Sequence, residues 1–391
     1  MTEKRKSPAL RFRGYTDDWE QRKFNDIATR ESAVRKSSPD CPSIEYEDVV
    51  AEAGILNKDI RLKDSEKNGI IFDGSQVLYG KLRPYLHNWH NPDFEGVAVG
   101  DWWVLKPIHV DKSFLYRLIQ TQKFDDIANQ SSGSKMPRAD WNLVSNSEFS
   151  IPPLIDEQVR IGTYFNDLDN LITLHQRKLE KLKLVKKSML EKMFPKNGSS
   201  VPEIRFKGFT DDWEQRKLGD IFEEYSEKDH AELPALTIIQ GGGTIRRDES
   251  DRALQYDKKS LSNYKKVDVG DFIVHLRSFE GGLEMATNTG IVSPAYHIFH
   301  GEKVDSRFYY SYFRSKQFIN TDLKPHVYGI RDGRSIDIEG MKTIEIPWTI
   351  LDEQKAIGNC IDTLDHLITL HQRKVEKLKI LKKSMLEKMF V

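Results

Sequence analysis

The sequence predicts an α+β protein in which two α/β domains are joined by two long antiparallel coiled-coil helices in a pseudo-twofold circular arrangement. Three observations support this prediction: parts of the 391-residue chain occur twice, each copy contains a stretch with heptad spacing, and two dissimilar inserts separate the repeated parts. The predicted parts are a first domain over residues 1–153, a helix over 154–194, a linker over 195–203, a second domain over 204–348 and a helix over 349–391.

The repeated segments are nearly identical, whereas the inserts between them hardly align. Residues 10–24 match residues 204–218 at 11 of 15 positions, and residues 171–194 match residues 367–390 at 21 of 24. The inserts, residues 25–148 and 219–343, have similar lengths and different sequences. Drift after a duplication should change all regions alike. The sequence therefore favours a constant frame, here meaning the repeated segments, that carries two inserts of different specificity.

The longer repeated segment is predicted to be helical, with Asp156 and Asp352 as N-caps. A helix over residues 157–194 would be roughly 57 Å long, which would fix the distance between the inserts. Lysines at seam positions 186 and 382 indicate that the seam ends or opens there. The predicted coiled-coil residues are Leu168, Ile172, His175, Leu179 and Leu182 in the first copy and Leu364, Ile368, His371, Val375 and Leu378 in the second. The two histidines fit a packed seam better than a metal or catalytic role.

Charge and cysteine content exclude several classes of protein. The chain has 60 Lys+Arg and 60 Asp+Glu, and zero net charge argues against binding DNA by bulk charge. The helical segments are nevertheless basic, at +6 for residues 171–200 and +5 for residues 367–391, so they could face DNA, an acidic partner or solvent. No apolar run is long enough to span a membrane, and two cysteines suit a cytoplasmic protein without a disulfide framework or zinc site.

Each insert has strand patterns followed by a helical stretch and a polar loop with basic and hydroxyl side chains. Arginine can contact guanine in two places, and serine can hold phosphates, so this composition is typical of DNA contacts. The candidate DNA-binding residues are Lys81, Arg83, Tyr85, Ser134, Lys135 and Arg138 in the first insert and Arg277, Ser278, Tyr328, Arg331 and Arg334 in the second. Trp102 and Trp103 fit a core better than base stacking.

The sequence offers no catalytic motif. Asn91-Pro-Asp-Phe94 differs from an adenine-methyltransferase tetrad in its third residue, and Gly241-Gly-Gly-Thr244 lacks the lysine of a phosphate-binding loop. No serine–histidine–aspartate, paired-acid or metal-ligand pattern stands out. We therefore expect a protein that is not an enzyme and has no catalytic or metal site.

The chain resembles the specificity (S) subunits of type I restriction-modification systems along its whole length. The resemblance lies in the two Leu-Ile-Thr-Leu-His-Gln-Arg-Lys helices, the two divergent inserts and the lead-ins with Pro152, Glu157 and Gln158 and with Pro347, Glu353 and Gln354. It implies that the inserts are target-recognition domains, each of which reads half of a bipartite asymmetric DNA sequence in the major groove.

The resemblance also implies the partners and cofactors. The helices would space the two domains and dock two modification (M) subunits, which bind S-adenosylmethionine and methylate adenine at N6. Two restriction (R) subunits would add cleavage that needs ATP and Mg²⁺. No cofactor is expected on this chain, and double-stranded DNA is the expected ligand. Alternatives are a duplicated coiled-coil scaffold that does not bind DNA, or an enzyme with an unfamiliar site. The balanced charge predicts weak DNA binding alone and tight, salt-sensitive binding in the complex.

Overall fold

A computed structural model of the chain describes residues 7–63, 66–130, 136–196, 198–249, 258–275, 277–329 and 335–391. The chain divides into two compact units. The first unit contains Met1–Arg177 and Gln372–Val391, and the second contains Lys178–His371. The division falls within both long helices, so each unit contains one insert and a part of each helix. The predicted domain boundaries, which follow the ends of the helices, stay a prediction.

The first unit consists of short strands and helices packed around a core rich in aromatic residues. Its strands are β1 (Glu20–Lys23), β2 (Ala28–Glu31), β3 (Val34–Lys36), β4 (Ser43–Ile44), β5 (Val49–Val50), β6 (Ile55–Leu56), β7 (Asn68–Phe72), β8 (Val77–Gly80), β9 (Trp89–His90), β10 (Gly96–Ala98), β11 (Trp102–Pro107) and β12 (Glu148–Ile151). Its helices are α1 (Phe24–Ile27), α2 (Lys112–Leu118), α3 (Gln122–Ala128), α4 (Trp141–Asn146) and the first part of α5 (Ile155–Lys192). Short 3₁₀ turns cover Tyr46–Asp48, Ile60–Leu62 and Pro84–Leu86.

The second unit is built from a similar set of elements. Its strands are β13 (Glu214–Lys217), β14 (Glu223–Tyr225), β15 (Leu236–Ile239), β16 (Gly243–Arg246), β17 (Lys265–Val267), β18 (Phe272–Val274), β19 (Glu284–Met285), β20 (Gly290–Val292), β21 (His297–His300), β22 (Val327–Tyr328), β23 (Ser335–Ile336) and β24 (Glu345–Trp348). Its helices are α6 (Leu218–Ile221), α7 (Ser278–Gly281), α8 (Ser306–Phe313), α9 (Ile338–Lys342) and the first part of α10 (Leu351–Met389). Arg247–Glu249, Lys258–Asn263 and Lys324–His326 form 3₁₀ turns, and Phe318–Asp322 forms a π-helical turn.

The two inserts share a sheet topology although their sequences hardly align. One four-stranded sheet has the order β2-β11-β8-β9 in the first unit and β14-β21-β18-β19 in the second. A second sheet, β3-β7-β10-β4, contains a parallel β10–β4 pair, and the second unit has a matching parallel bridge between Ala235 and Ile291. The predicted strand and helix patterns are confirmed, with turns that divide each predicted helical stretch. Trp102 and Trp103 are core residues, as predicted.

Each long helix begins one residue before the residue that was predicted to be its N-cap. Helix α5 has 38 residues and starts at Ile155, whereas α10 has 39 residues and starts at Leu351. Asp156 and Asp352 therefore lie in the first turn, and the prediction that they are N-caps is wrong. Their carboxylates still stabilise the helix because they lie near its positive end.

The seam residues are buried or partly buried, as the heptad pattern requires. Leu168, Ile172 and Leu378 belong to the core of the first unit. Leu179, His371 and Val375 are also buried, and His175, Leu182, Leu364 and Ile368 are partly buried. The side chains of exposed neighbours such as Leu174 and Ile380 point away from this seam, which leaves apolar surface on both helices.

The seam does not end at its lysines, contrary to the prediction. In the first unit, Lys382 Nζ lies 2.7 Å from Asp169 Oδ1, and Met389 beyond it is buried again. In the second unit, Lys186 pairs with Asp365 in the same way. Each lysine therefore has a carboxylate on the other helix. In the first unit the rings of Phe165 and Phe390 also lie 6.4 Å apart, so the paired residue numbers rise along α5 and fall along α10, and the two helices run antiparallel there.

Each unit is completed by aromatic residues from both copies of the repeat. In the first unit the rings of Trp19 and Phe390 lie 6.1 Å apart at 87°, and Leu10 N donates to Lys388 O. In the second unit Trp213 and Phe194 lie 6.1 Å apart at 90°. Edge-to-face contacts of this kind stabilise the fold by more than the burial of the ring surfaces alone would. The end of each long helix is thus part of a domain core.

Candidate nucleic-acid interface

Four of the predicted DNA-binding residues of the first insert lie together at the end of strand β8. Arg83 N donates to Pro137 O, and Leu82 forms a bridge with Arg138, so the two loops are held side by side. Arg83 and Tyr85 are exposed, and Arg83 has a left-handed backbone with φ of 49°. Lys81 and Arg138 complete the group. Ser134 and Lys135 lie outside the residues that the structure describes.

Asp101 organises the cations of this group. Arg138 donates from Nε and Nη2 to the Asp101 carboxylate at 3.3 and 3.1 Å, and Lys81 Nζ lies 3.5 Å from Asp101 Oδ1. The hydrogen bond from Arg138 lowers the pKa of Asp101. The carboxylate also limits the positive charge of the loops, and it orients the Arg138 guanidinium. Sequence reasoning missed Asp101, because nothing in the order Gly100-Asp101-Trp102 indicates its partner 37 residues later.

Tyr46 connects the loop after β8 to the turn that contains Asp101. Its hydroxyl donates to Asp101 O at 2.7 Å and accepts from Leu82 N at 2.9 Å. Burial raises the pKa of Tyr46 well above its usual value, so the hydroxyl keeps its proton and remains a donor. The exposed side chains of Arg83 and Tyr85 are therefore carried by a rigid base.

The predicted DNA-binding residues of the second insert do not form one group as those of the first insert do. Arg277 is exposed and follows strand β18, which corresponds to β8 in sheet order. Tyr328 is 59% exposed and lies on the β22–β23 hairpin. Arg331 and Arg334 lie outside the described residues. The structure thus places Arg277 and Tyr328 at the surface of this unit.

Ser278 is a correction to the prediction. Its side chain is fully buried, and its Oγ accepts a hydrogen bond from His275 N at 2.9 Å. The hydroxyl closes the turn before α7 and is not available to a phosphate. A sequence pattern does not distinguish a serine that closes a turn from one that contacts a ligand, since both favour polar loops.

The Glu-Gln pairs at the start of the long helices join each helix to its own insert. Arg11 donates from Nε and Nη2 to Glu157 at 2.6 and 2.8 Å, and Asp111 N donates to Gln158 Oε1. Asp111 in turn caps α2. Gln158 therefore connects the long helix directly to the first helix after the insert strands.

The second unit repeats this arrangement residue for residue. Arg205 donates to Glu353 at 2.7 and 2.8 Å, Asp305 N donates to Gln354 Oε1, and Asp305 caps α8. Both glutamates are fully buried. The motif thus has a structural role: it fixes the orientation of each insert on the helix.

A groove lies beside the helices of the first unit. Its volume is about 550 Å³, and its walls include Trp89 of the insert, Ile172 of α5 and Leu386 of α10. Lys379, Lys382 and Lys383 add positive charge along the α10 side. The groove combines apolar and basic surface at the junction of insert and helices.

The described residues contain no cluster of three potential metal ligands. Within the same part of the chain, none of the helices has the length and apolar character that crossing a bilayer requires.

Comparison with known proteins agrees with the duplicated architecture. The family model for the type I restriction modification DNA specificity domain matches residues 16–184 and again residues 210–379. The chain belongs to this family. Both matches run from the frame through an insert into a long helix, so the family domain corresponds to one half of the repeat.

Individual relatives of this specificity family are distant in sequence. The type I restriction enzyme MjaVIII specificity subunit of Methanocaldococcus jannaschii is 24% identical, with 85% of this chain and 80% of the relative covered. The putative MjaX specificity subunit of the same organism is also 24% identical, with 95% and 92% covered. The crystal structure of a type I restriction-modification S subunit from M. genitalium matches with a TM-score of 0.59 at 12% identity, covering 98% of this chain and 99% of the other. That last likeness shows the fold alone.

Proposed function

We propose that this chain is the DNA-recognition subunit of a type I restriction-modification complex. Each insert reads one half of a bipartite asymmetric target in the major groove, and the long helices set the spacing of the halves. The observation that carries the proposal is that two inserts of unrelated sequence have the same sheet order. A constant scaffold with different surface residues is what reading two different half-sites requires.

Recognition in the first insert rests on Arg83, Tyr85 and Arg138. Exposed arginine at a loop held rigid by Tyr46 and Asp101 can meet guanine O6 and N7 with two hydrogen bonds. Arg277 and Tyr328 have the corresponding role in the second insert. Lys81, partly paired with Asp101, supplies a phosphate contact once DNA is present.

The helices dock two modification subunits. Exposed apolar residues on them, including Leu174 and Ile380, and the groove of the first unit offer apolar contact area next to lysines. The modification subunits bind S-adenosylmethionine and methylate adenine, and two restriction subunits use ATP and Mg²⁺. This chain contributes recognition and spacing and no chemical step. It acts in the cytoplasm, where these partners and the DNA are found.

The test is selection of bound duplexes from a random library, with the full chain assembled with its modification subunits. We expect a motif of two specified halves separated by a fixed spacer. Arg83→Ala should relax one position in one half by about 1–3 kcal/mol and leave the other half unchanged. Arg61→Ala, at an exposed arginine of the first insert outside the proposed DNA-contact group, is the matched control.

Two results would contradict the proposal. If neither the complex nor the chain alone selects a motif, the chain is a protein scaffold without DNA specificity. If Arg83→Ala weakens both halves equally, the substitution acts through folding rather than through a base contact.

A further inference from the structure

The Gly241-Gly-Gly-Thr244 segment is the turn of a hairpin in the second insert. It joins β15 to β16, which pair from Leu236–Arg246 to Ile239–Gly243. Gly241 and Gly243 have φ of 77° and 71°, which side chains rarely adopt. A Cβ on Gly243 would also overlap with Met285 O and Thr287. The glycines therefore allow a tight turn that packs closely on the strand below it.

A buried carboxylate holds this turn from inside the unit. Gly241 N donates to Glu284 Oε1 at 2.6 Å, and Gly243 N lies 3.4 Å from Oε2. Glu284 is fully buried, accepts from Tyr310 Oη at 2.8 Å and pairs with Arg314. The amides that a phosphate would need are already bonded to a negative group. The turn is thus a rigid surface feature, and it does not bind an anion.

The hydrogen bonds between Thr244 and Thr287 add to this rigidity. Thr244 N donates to Thr287 Oγ1 at 3.0 Å, and Thr287 N donates to Thr244 Oγ1 at 3.0 Å. Gly242 N donates to Ile239 O at 2.8 Å across the turn itself. A solvent-exposed turn with so many internal bonds keeps its shape when it meets a ligand, which lowers the entropy lost on binding.

Gln240 is the exposed side chain that this turn presents. Its amide lies over Gly281, where a Cβ would overlap with Gln240 Nε2. Gly281 ends the single helical turn that begins after Arg277, and its N–H donates to Arg277 O at 3.3 Å. Gln240 therefore packs on the helical turn that follows the predicted DNA contact Arg277, and both residues are exposed. Glutamine can form two hydrogen bonds with adenine, to N6 and N7, in the major groove of DNA. The exposed Gly241 and Gly242 beside it have no side chains, so the DNA can approach the turn closely.

We propose that Gln240 reads an adenine next to the base contacted by Arg277, with Glu284 and Arg314 holding its turn in place. This inference rests on the proposed function and adds a specificity-determining residue to the second half-site. Gln240 acts as both donor and acceptor, whereas Arg277 acts only as a donor. The two side chains together specify adjacent base pairs of different identity.

The experiment is selection of bound duplexes by the full chain in complex with its modification subunits, for the wild type and for Gln240→Ala, Gln240→Glu and Arg277→Ala. Gln240→Ala should reduce discrimination for adenine at one position by about ten- to a hundredfold. That position should adjoin the one relaxed by Arg277→Ala. Gln240→Glu should move the preference towards cytosine, because a carboxylate accepts from N4 and does not donate to N7.

Gln215→Ala is the matched control, since Gln215 is exposed in the same unit on frame strand β13. It should leave both half-sites unchanged. If Arg277→Ala relaxes a position while both Gln240 variants keep the wild-type motif, the inference is wrong and the proposed function stands. If Gln240→Ala instead reduces recovery of the modification subunits, the turn is a protein contact. If the wild type selects no motif, the proposed function itself fails.

Discussion

Replacing the buried glutamate of each lead-in by glutamine tests how the inserts are fixed to the helices. Glu353 accepts from both ends of the Arg205 fork, from Trp213 Nε1 at 3.1 Å and from Thr349 Oγ1 at 2.5 Å. The Arg205 side chain is only 11% exposed. Glu353→Gln leaves this guanidinium without its charge partner, and breaking a buried pair in this way costs about 3–5 kcal/mol.

The first unit supplies an internal comparison for this prediction. Glu157 accepts from the Arg11 fork at 2.6 and 2.8 Å, but the indole N–H of Trp19 has no hydrogen-bond partner among the described residues. The first lead-in is also one residue shorter and has no counterpart of Thr349. Glu157 has two fewer hydrogen bonds to lose, at about 1 kcal/mol each, so Glu157→Gln should be the milder change by at most about 2 kcal/mol.

Hydrogen exchange followed by mass spectrometry measures the two effects separately. We expect peptides over β13 and β24 to lose protection in Glu353→Gln, and peptides over β1 and β12 to lose less in Glu157→Gln. A two-unit chain need not unfold in one step, so local exchange is a better measure than one melting temperature. Equal losses in the two units, or a larger loss in the first, would refute the argument that the extra bonds of Glu353 matter.

Three further predictions concern helix packing, pH and spacing. Gly162→Ala should destabilise the first unit by about 1–3 kcal/mol in urea unfolding, since its Cβ would overlap with Ser113, while Asn170→Ala should change stability little. Burial lowers the pKa of His275 from 6.5 to about 4, so the unfolded chain binds more protons between these values. The second unit should therefore lose stability as pH falls through this window, and His275→Gln should remove that dependence; an unchanged pH profile would disprove the assignment. Inserting four residues into α5 should change the preferred spacer between half-sites in duplex selection, and an unchanged spacer would show that the helix does not set it.

The architecture could be predicted because its signals are local or repeated. Heptad spacing marks the seam from Leu168 onwards, and near-identity of the two copies shows a duplicated frame without any knowledge of contacts. The pairing of side chains between distant parts of the chain was harder to predict from the sequence. Lys382 interrupts an apolar pattern within one helix, and its partner Asp169 lies 213 residues away on another. The seam was therefore predicted to end or open at lysines beyond which it continues.

Individual contact residues were harder to predict for a related reason. Arg83 and Ser278 both lie in polar loops after a sheet strand, yet one is exposed and the other fully buried. The difference depends on whether the side chain can bond to its own turn, as Ser278 does with His275 N. Whether such a side chain is buried depends on the backbone conformation of its turn, and the composition of the loop does not determine that conformation.

The near-identity of the two frame copies has a physical explanation in how the units are composed. Trp19 of the first copy packs on Phe390 of the second, and Phe194 of the first copy packs on Trp213 of the second. Each long helix thus begins in one unit and ends in the core of the other. A change in one copy alters packing in both units, so neither copy can vary independently. Insert residues such as Arg83 and Gln240 pack within a single unit and carry no such constraint, so the inserts can differ while the frame stays constant.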